Sequence, residues 1–332
     1  MSEEKKDEIV PLVSVCVITY NHEKYIRQCL DGILMQKVNF PYEILIHDDA
    51  SPDATADIIR EYEAKYPDVI KPIYQTENQY SKVGIGAISR FNDERARGKY
   101  IAQCEGDDYW TDPGKLQMQV DFLEAHPEYV GTAHNVRVVD ENGEITNKLL
   151  SYPRFDKYIF TFHDVEYFRL AGQTASLVYR NIFSVLPLEI KEAYYKLSGT
   201  GDRKLILLLT LHGNMYCFDE VMSSYRSVLT GTSWSARTRG IYSGINITSN
   251  IIDHHKFVEK YYSRQYNVYE YLIYLCFISF LRIGKYHTYS NIIDFKKIVF
   301  ICISDKQTLQ HMLREMLSKP FGFIQIIWIN GI

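Results

Sequence analysis

The first third of the chain alternates short apolar runs with stretches whose apolar residues recur at helical spacing. Residues 13–19 are a nearly continuous run of apolar, mostly β-branched residues, which is typical of a strand buried on both faces, and residues 42–48 predict a second strand. Residues 69–74 and 100–104 predict a third and a fourth strand, and residues 84–97 predict a helix between them. This alternation favours an α/β fold with a doubly wound, mostly parallel sheet flanked by helices.

The first predicted helix follows the first strand directly. Asn21 is a residue type that commonly caps a helix, and Ile26, Leu30 and Leu34 follow it with the spacing of one helical face. We therefore expect the first helix to begin at Asn21 and to end near Met35.

After the fourth strand the order of elements changes. A helix from Pro113, a strand over residues 129–139 and a hairpin turn over residues 140–143 are predicted. A further helix begins at Gly201, and a strand covers residues 215–225. This region no longer alternates regularly, so we expect it to extend the sheet in a different pattern.

Composition sets limits on the function. The chain has 332 residues, of which 46% are hydrophobic, and a formal net charge of −4. A nucleic-acid-binding domain normally carries a basic patch, so this charge argues against a nucleic-acid partner. The longest apolar stretch, residues 271–281, is shorter than the roughly 20 residues that span a bilayer. Six cysteines without a C-x-x-C pair, together with a polar N-terminus, favour a cytoplasmic protein.

Polar residues follow three of the four predicted strands. They are Thr19, Tyr20 and Asn21 after the first strand, Asp48 and Asp49 after the second, and Glu105, Asp107 and Asp108 after the fourth. Ligands of open α/β sheets bind at the carboxyl ends of the strands, so we expect these residues to converge on one edge.

Three carboxylates within four residues repel one another unless a cation or hydrogen-bond donors offset their charge. Oxygen ligands suit Mg²⁺ or Mn²⁺, and such metals commonly hold phosphates. The cluster of Glu105, Asp107 and Asp108 therefore indicates a metal-assisted site for a phosphorylated substrate. Asp48 and Asp49 are acceptors suited to a base N–H or a ribose hydroxyl. An acidic turn exposed to water is the alternative interpretation of the cluster.

Several motifs, taken together, resemble family 2 of the glycosyltransferases. They are PLVSVCVITYN at residues 11–21, DDASPD at residues 48–53, GKYI at residues 98–101 and EGDDYWTDP at residues 105–113. The resemblance covers roughly residues 11–234 and implies a GT-A fold and an inverting, nucleotide-sugar-dependent enzyme that uses Mn²⁺ or Mg²⁺. In that family the segment at residues 105–108 is the D-x-D region and usually begins with Asp. Glu105 departs from this pattern but keeps the charge.

The resemblance also implies roles for single residues. It assigns Asp107 and Asp108 to the metal and the diphosphate. Family members place a general base at the start of a helix, which makes Asp202 the expected base, with a helix-capping acid as the alternative. Arg226 and Trp234 resemble a loop that closes over donor and acceptor, and Arg226 is expected to contact diphosphate unless it is a structural arginine. Independently of the resemblance, Asn92 precedes the fourth strand and could face the same edge, which makes it a further candidate for the nucleotide-sugar site, with a solvated polar residue of a helix as the alternative.

The resemblance suggests how the chain is divided. We expect a disordered tail at residues 1–10, a nucleotide-binding half at residues 11–112 and an acceptor half at residues 113–235. We expect residues 236–332, which contain many tyrosines and lysines, to form a mainly helical, aromatic-rich region. Such a region suits either a peripheral contact with the inner face of the cell membrane or packing against the main domain or a second copy of the chain.

The expected reaction moves a sugar, most simply from a UDP-sugar, to a hydroxyl of a glycan or lipid-linked acceptor in the assembly of bacterial surface polysaccharide. A sugar-phosphate nucleotidyltransferase is one alternative. It would normally show a Gly-rich, basic loop after the first strand, where this chain has Thr19-Tyr20-Asn21-His22-Glu23. A non-catalytic binding protein with the same fold is the other alternative.

Overall fold

The protein, described by a computed structural model, is built on a mixed β-sheet. The structure describes residues 10–83, 88–150, 158–167, 169–228 and 244–264, together with Leu272 and Gln310. Among these residues the strands are β1 (Val13–Thr19), β2 (Tyr42–Asp48), β3 (Ile70–Tyr74), β4 (Tyr100–Glu105), β5 (Tyr109–Trp110), β6 (Tyr129–Val139), β7 (Ile145–Leu150), β8 (Ile159–Phe160), β9 (Val178–Arg180) and β10 (Asn214–Arg226).

The described helices are α1 (Ile26–Leu34), α2 (Thr55–Lys65), α3 (Tyr80–Val83), α4 (Arg90–Asp93), α5 (Lys115–Ala125), α6 (Phe162–Glu166), α7 (Leu188–Lys196), α8 (Gly201–Thr210) and α9 (Gly244–Tyr262). Short 3-10 helices cover Thr174–Ser176 and Ile182–Ser184. In the part of the chain that the structure describes, no helix combines the length and the hydrophobicity needed to cross a bilayer.

The chain divides into two compact units. The first comprises Met1–Phe162, Leu170–Tyr195 and Gly201–Val228, and the second comprises His163–Arg169, Lys196–Thr200 and Leu229–Ile332. All ten strands and the candidate site residues among the described positions belong to the first unit.

The strands are arranged in the order β3-β2-β1-β4-β9-β6-β10-β5, with β7 beside β6 and β8 beside β10. From β3 to β4 all neighbours are parallel. Beyond β4 the sheet is mixed, because β9 runs antiparallel to both β4 and β6, while β6 and β10 are parallel. The predicted α/β class is confirmed, and its parallel part is the four-strand half that ends in polar residues.

The first helix does not begin where the sequence predicted. It starts at Ile26, and Asn21 instead has a φ of 60°, in the left-handed region that asparagine tolerates better than most residues. A turn at residues 22–25 separates the two. The prediction that Asn21 caps the helix is therefore wrong, because that backbone conformation redirects the chain before the helix begins.

The predicted helix at residues 84–97 is also wrong in extent. Among the described residues of this range the only helix is the short α4, α3 ends just before the range, and residues 84–87 lie outside the described residues. By contrast, β6 covers the predicted residues 129–139, and Gly143, with a φ of 87°, occupies the predicted hairpin turn.

The core below the parallel strands fixes their position. Val13, Val15 and Val17 of β1 are fully buried in the same cluster as Ile26 and Leu30 of α1. Fully burying one such side chain contributes about 1.5–3 kcal/mol, so the strands and helices of this layer are held firmly together. Because the strands are held firmly, the loops at their ends can keep strained backbone conformations and crowded charged side chains.

Several carboxyl groups in this unit are buried, and Asp93 is one that lies away from the ends of the parallel strands. Asp93 of α4 is 5% exposed and accepts a hydrogen bond from the Tyr195 hydroxyl at 3.2 Å. Burial is the main cause that raises the pKa of Asp93, to about 7. The folded protein therefore keeps a proton that the unfolded chain releases between about pH 4 and pH 7.

We expect the Asp93 carboxyl to lower stability as the pH rises through this interval, because the folded state binds more protons than the unfolded state. Asp93→Asn should flatten that decline and should be more stable than the wild type at pH 8 by on the order of 1–4 kcal/mol. Urea unfolding at a series of pH values measures both effects. Asp121→Asn, at an exposed position of α5, is the matched control and should leave the slope unchanged.

Candidate active site

The carboxyl ends of three parallel strands meet at one edge of the sheet. Thr19 at the end of β1 pairs with Asp48 at the end of β2, and Ile18 pairs with Glu105 at the end of β4. Residues that are 29 and 87 positions apart in sequence thus become neighbours (48 − 19 and 105 − 18). The structure therefore brings together the three groups of polar residues that the sequence placed after these strands.

The loops after β1 and β2 are tied to each other. The backbone N–H of Asn21 donates to the Ser51 hydroxyl at 2.9 Å, and the N–H of His22 donates to the Thr55 hydroxyl at 2.8 Å. Asn21 and Ala50 both have a φ of 60°. A left-handed backbone conformation costs free energy in any residue other than glycine. It persists only where the surrounding structure imposes it, which is often at ligand sites. The two loops form a rigid rim to the edge.

Asp48 and Asp49 are both buried, each with 2% exposure. The Asp48 carboxylate accepts hydrogen bonds from the hydroxyl and the N–H of Ser51, and burial is the main cause that raises its pKa. The Asp49 carboxylate accepts the N–H groups of Gln79 and Tyr80 at 2.7 and 3.0 Å, at the start of α3. Asp49 therefore fixes the chain after β3, and contact of either aspartate with a nucleotide stays a prediction.

Glu105, Asp107 and Asp108, which we call the acidic turn, follow β4. One ligand oxygen from each of the three lies within 4.8 Å of the others. Glu105 is exposed, Asp107 is partly exposed, and Asp108 is buried. Oxygens at this spacing are the donor set that Mg²⁺ or Mn²⁺ takes in proteins, so the residues present fit a divalent cation.

Among the described residues, the three carboxylates of the acidic turn differ in their partners. The side-chain oxygens of Glu105 accept no hydrogen bond, and Asp107 Oδ2 lies 3.8 Å from His22 Nε2. Both oxygens of Asp108 accept hydrogen bonds, from Gln173 Nε2 at 2.6 Å and from the N–H of Arg226 at 2.8 Å. Glu105 and Asp107 are thus the members with oxygens available to a ligand.

Charge crowding is evident in the pKa values of the acidic turn. Desolvation, followed by the charges of Asp107 and Asp202, raises the pKa of Glu105 to about 8. The exposed side chain keeps contact with water, which relieves part of that desolvation. Burial, followed by the charges of Asp107 and Glu105, raises the pKa of Asp108 well above the ordinary value. A cation at this position would relieve the repulsion between these groups.

Asp202 lies in the first turn of α8. Its Oδ1 accepts the N–H of Arg203 at 2.8 Å, and its side chain is partly exposed. Although it is 97 residues beyond Glu105 (202 − 105), its charge acts on the Glu105 carboxyl, so the two belong to one electrostatic neighbourhood. A partly exposed carboxylate beside the acidic turn is suited to accept a proton.

Comparison with known families identifies the family of this chain. The family model for glycosyl transferase family 2 matches residues 14–183, which include all of β1 except Val13, the acidic turn and β9. The chain belongs to glycosyl transferase family 2. The predicted family and the predicted GT-A fold are thereby confirmed.

Two further comparisons agree with this family. The chain is 50% identical over 133 residues to the uncharacterized protein Rv1520 of Mycobacterium tuberculosis, a match that covers 40% of this chain and 37% of that protein. The chain thus spans well under half the length of this curated relative. TarS residues 1–349 of S. aureus, solved in complex with UDP-GlcNAc, superposes with a TM-score of 0.62 at 15% identity, covering 86% of this chain and 79% of TarS.

A second solved structure shares the fold. The mannosyltransferase PcManGT from Pyrobaculum calidifontis, solved in complex with GDP-Man and Mn²⁺, superposes with a TM-score of 0.50 at 16% identity. The superposition covers 96% of this chain and 85% of PcManGT. At these identities the two structures support the fold of this family 2 member.

Arg226 is held by acceptors of the protein itself. Its side chain is buried, and its guanidinium donates to the main-chain oxygen of Asp107 at 2.9 Å and to Gln28 Oε1 at 2.6 Å. It also lies over the ring of Tyr25, 4.6 Å from the centroid. These protein acceptors favour the structural alternative, and we leave Arg226 out of the proposed donor site.

The side-chain amide of Asn92 likewise forms its hydrogen bonds with groups of the protein. It is 1% exposed, its Nδ2 donates to the main-chain oxygen of Val17 at 3.0 Å, and its Oδ1 accepts from Arg95. The amide therefore braces β1 rather than presenting groups to a ligand. Trp234, the remaining predicted contact, lies outside the described residues.

Sequence reasoning missed three residues of this family 2 site. His22 contacts the Thr19 hydroxyl through Nδ1 at 3.2 Å and approaches Asp107 through Nε2, and its position directly after the TYN motif was an available signal. Gln173 is distant from the acidic turn in sequence, so no local signal indicated their contact. Gly106 lies within the EGDDYWTDP motif, but the motif does not show how closely Gly106 packs against the first loop.

Gly106 allows the acidic turn to lie against the first loop. A Cβ atom at this position would come within 2.6 Å of Thr19 Oγ1 and 2.9 Å of His22 Nδ1. We expect Gly106→Ala to destabilise the protein by about 1–3 kcal/mol, because the loop must move to admit the methyl group. Chemical denaturation measures the loss. Gly201→Ala is the control, since no atom lies within 4 Å of its added Cβ, and it should cost much less.

Proposed function

We propose that this protein is an inverting glycosyltransferase that uses a divalent cation and transfers a sugar from a nucleotide-sugar to a hydroxyl group. The observation that supports it best is the acidic turn at the meeting point of β1, β2 and β4, with the Asp202 charge acting on it. Membership of family 2 agrees with this chemistry.

The acidic turn would hold Mn²⁺ or Mg²⁺ through carboxylate oxygens. When bound, the cation neutralises the negative charge that develops on the departing nucleoside diphosphate. Glu105 and Asp107 present oxygens for this purpose, and their mutual repulsion favours cation uptake. The Mn²⁺ found with PcManGT supports the assignment by similarity of fold.

Asp202 would act as the general base. As the acceptor hydroxyl attacks the anomeric carbon, the Asp202 carboxylate takes its proton, and the bond from that carbon to the diphosphate oxygen breaks in the same displacement. A single displacement inverts the anomeric configuration. Because Asp202 lies in the first turn of α8, the helix dipole stabilises its ionised form before the proton arrives.

The donor would lie along the edge formed by β1 and β2. Thr19, Tyr20 and Asn21 line the first loop, and Asp48 and Asp49 end β2, where carboxylates could accept a base N–H or a ribose hydroxyl. The complex of TarS with UDP-GlcNAc supports a UDP-sugar as the donor. The acceptor we propose is a glycan or lipid-linked saccharide of a bacterial surface polysaccharide.

Cation dependence gives a direct test. In a thermal-shift screen, we expect UDP-GlcNAc or another nucleotide-sugar to raise the melting temperature with Mn²⁺ and to have little effect in EDTA, because donor binding stabilises the folded state by mass action. Asp107→Asn should lose the Mn²⁺-dependent part, while Asp219→Asn, at an exposed site on β10, should keep it. A stabilisation that is equal in EDTA and in Mn²⁺ would contradict the proposal.

The base is tested by separating binding from turnover. Slow hydrolysis of the stabilising nucleotide-sugar, in which water replaces the acceptor, can be followed by release of the nucleoside diphosphate. We expect Asp202→Asn to reduce this rate by roughly 10²–10⁴-fold with unchanged donor affinity, because only the proton acceptor is removed. An equal loss in Asp219→Asn, or full activity in Asp202→Asn, would exclude Asp202 as the base.

A further inference from the structure

Both carboxylate oxygens of Asp108 are engaged by hydrogen bonds from the protein. The residue is 1% exposed, and each of its carboxylate oxygens accepts a donor: Oδ1 the N–H of Arg226 at 2.8 Å, and Oδ2 the Nε2 of Gln173 at 2.6 Å. The distances are those of charge-assisted hydrogen bonds, which are among the stronger ones in proteins. A carboxylate held in this way is less able to turn toward a cation.

The orientation of the Gln173 amide is fixed independently. Its Oε1 accepts the N–H of Ala175 at 2.7 Å, at the start of the 3-10 helix Thr174–Ser176. Because the oxygen is committed to that N–H, the NH₂ group must face Asp108. The main-chain oxygen of Gln173 also accepts the Ser176 hydroxyl at 2.6 Å, which holds the residue in place.

The second donor is equally immobile. The Arg226 guanidinium lies 4.6 Å from the Tyr25 ring centroid and 5.5 Å from that of Tyr109, and its Nε donates to the main-chain oxygen of Asp107 at 2.9 Å. Arg226 thus holds the acidic turn at two points, the Asp107 carbonyl and the Asp108 carboxylate. The end of β10 and the segment before β9 together clamp the turn.

We infer that Gln173 is a positioning residue: with the N–H of Arg226 it clasps Asp108, so that Glu105 and Asp107, and not Asp108, bind the divalent cation. The inference deepens the proposed function and rests on its cation. Proximity alone would admit Asp108 as a ligand, since one of its oxygens lies within 4.8 Å of the other two carboxylates. The clasp instead assigns it to holding the turn in shape.

Exchanging the carboxylate and the amide between positions 108 and 173 distinguishes a metal-binding role of Asp108 from a structural role. In the double variant Asp108→Asn, Gln173→Glu, the new amide can offer its oxygen to the Arg226 N–H and its NH₂ to the new carboxylate. That carboxylate can still accept the Ala175 N–H, and the net charge is conserved. The clasp is rebuilt, but no carboxylate remains at position 108 to bind a cation.

The experiment is titration of the full chain with Mn²⁺ alone, followed by electron paramagnetic resonance of the free ion. We expect Gln173→Met and Asp108→Asn each to weaken Mn²⁺ binding by roughly 10–100-fold, the range found when groups that orient metal ligands are lost. The double variant should return close to the wild-type affinity. Gln103→Met is the control, because it removes a similar bond, from Nε2 to the Tyr179 hydroxyl at 2.9 Å, elsewhere on β4.

A double variant as weak as Asp108→Asn would overturn the inference and make the Asp108 carboxylate a ligand. Wild-type affinity in Gln173→Met would overturn it as well, and that variant decides alone if the double variant does not fold, as judged by circular dichroism in EDTA. Absence of Mn²⁺ binding in the wild type would also overturn it. The transfer reaction would then still be testable without metal, so the two failures are distinguishable.

Discussion

Repulsion between carboxylates crowded at the carboxyl ends of parallel strands is the interaction on which the rest of this structure depends. Two unit charges 4 Å apart repel by about 4 kcal/mol at an effective dielectric constant near 20. One ordinary hydrogen bond offsets only about 0.5–1.5 kcal/mol of this. The protein therefore needs several compensating groups around Glu105, Asp107 and Asp108, and the hydrogen bonds on Asp108 are part of that compensation.

The scaffold tolerates this charge because its strand ends are rigid. β1 lies between β2 and β4 with its alternate valines fully buried, so the loop that carries Asn21 cannot relax away from the acidic turn. The left-handed backbone at Asn21 and Ala50 and the lack of a side chain at Gly106 keep the two loops close. The free energy gained by burying the core thus offsets the unfavourable strain and charge repulsion at the site.

Hydrophobic patterns in the sequence predicted the elements whose formation depends mainly on neighbouring residues. The apolar runs of β1, β2 and β4 predicted buried strands, and the residues that follow them converge as the parallel sheet requires. The start of α1 was misplaced, because the conformation of Asn21 depends on the Ser51 hydroxyl 30 positions away. The sequence shows that Asn92 and Arg226 are polar, but it does not show the protein acceptors that they contact, because those acceptors lie far away along the chain.

By itself, the sequence determined the family, the α/β class and the acids at the strand ends, since periodicity and adjacent residues record these directly. The tertiary structure alone decided which acids face outward. Gln173 and Arg226 reach Asp108 across 65 and 118 positions of sequence, and no periodic pattern encodes contacts of that range. They are determined by how the mixed half of the sheet packs against the parallel half, a property of the assembled strands and not of any one of them.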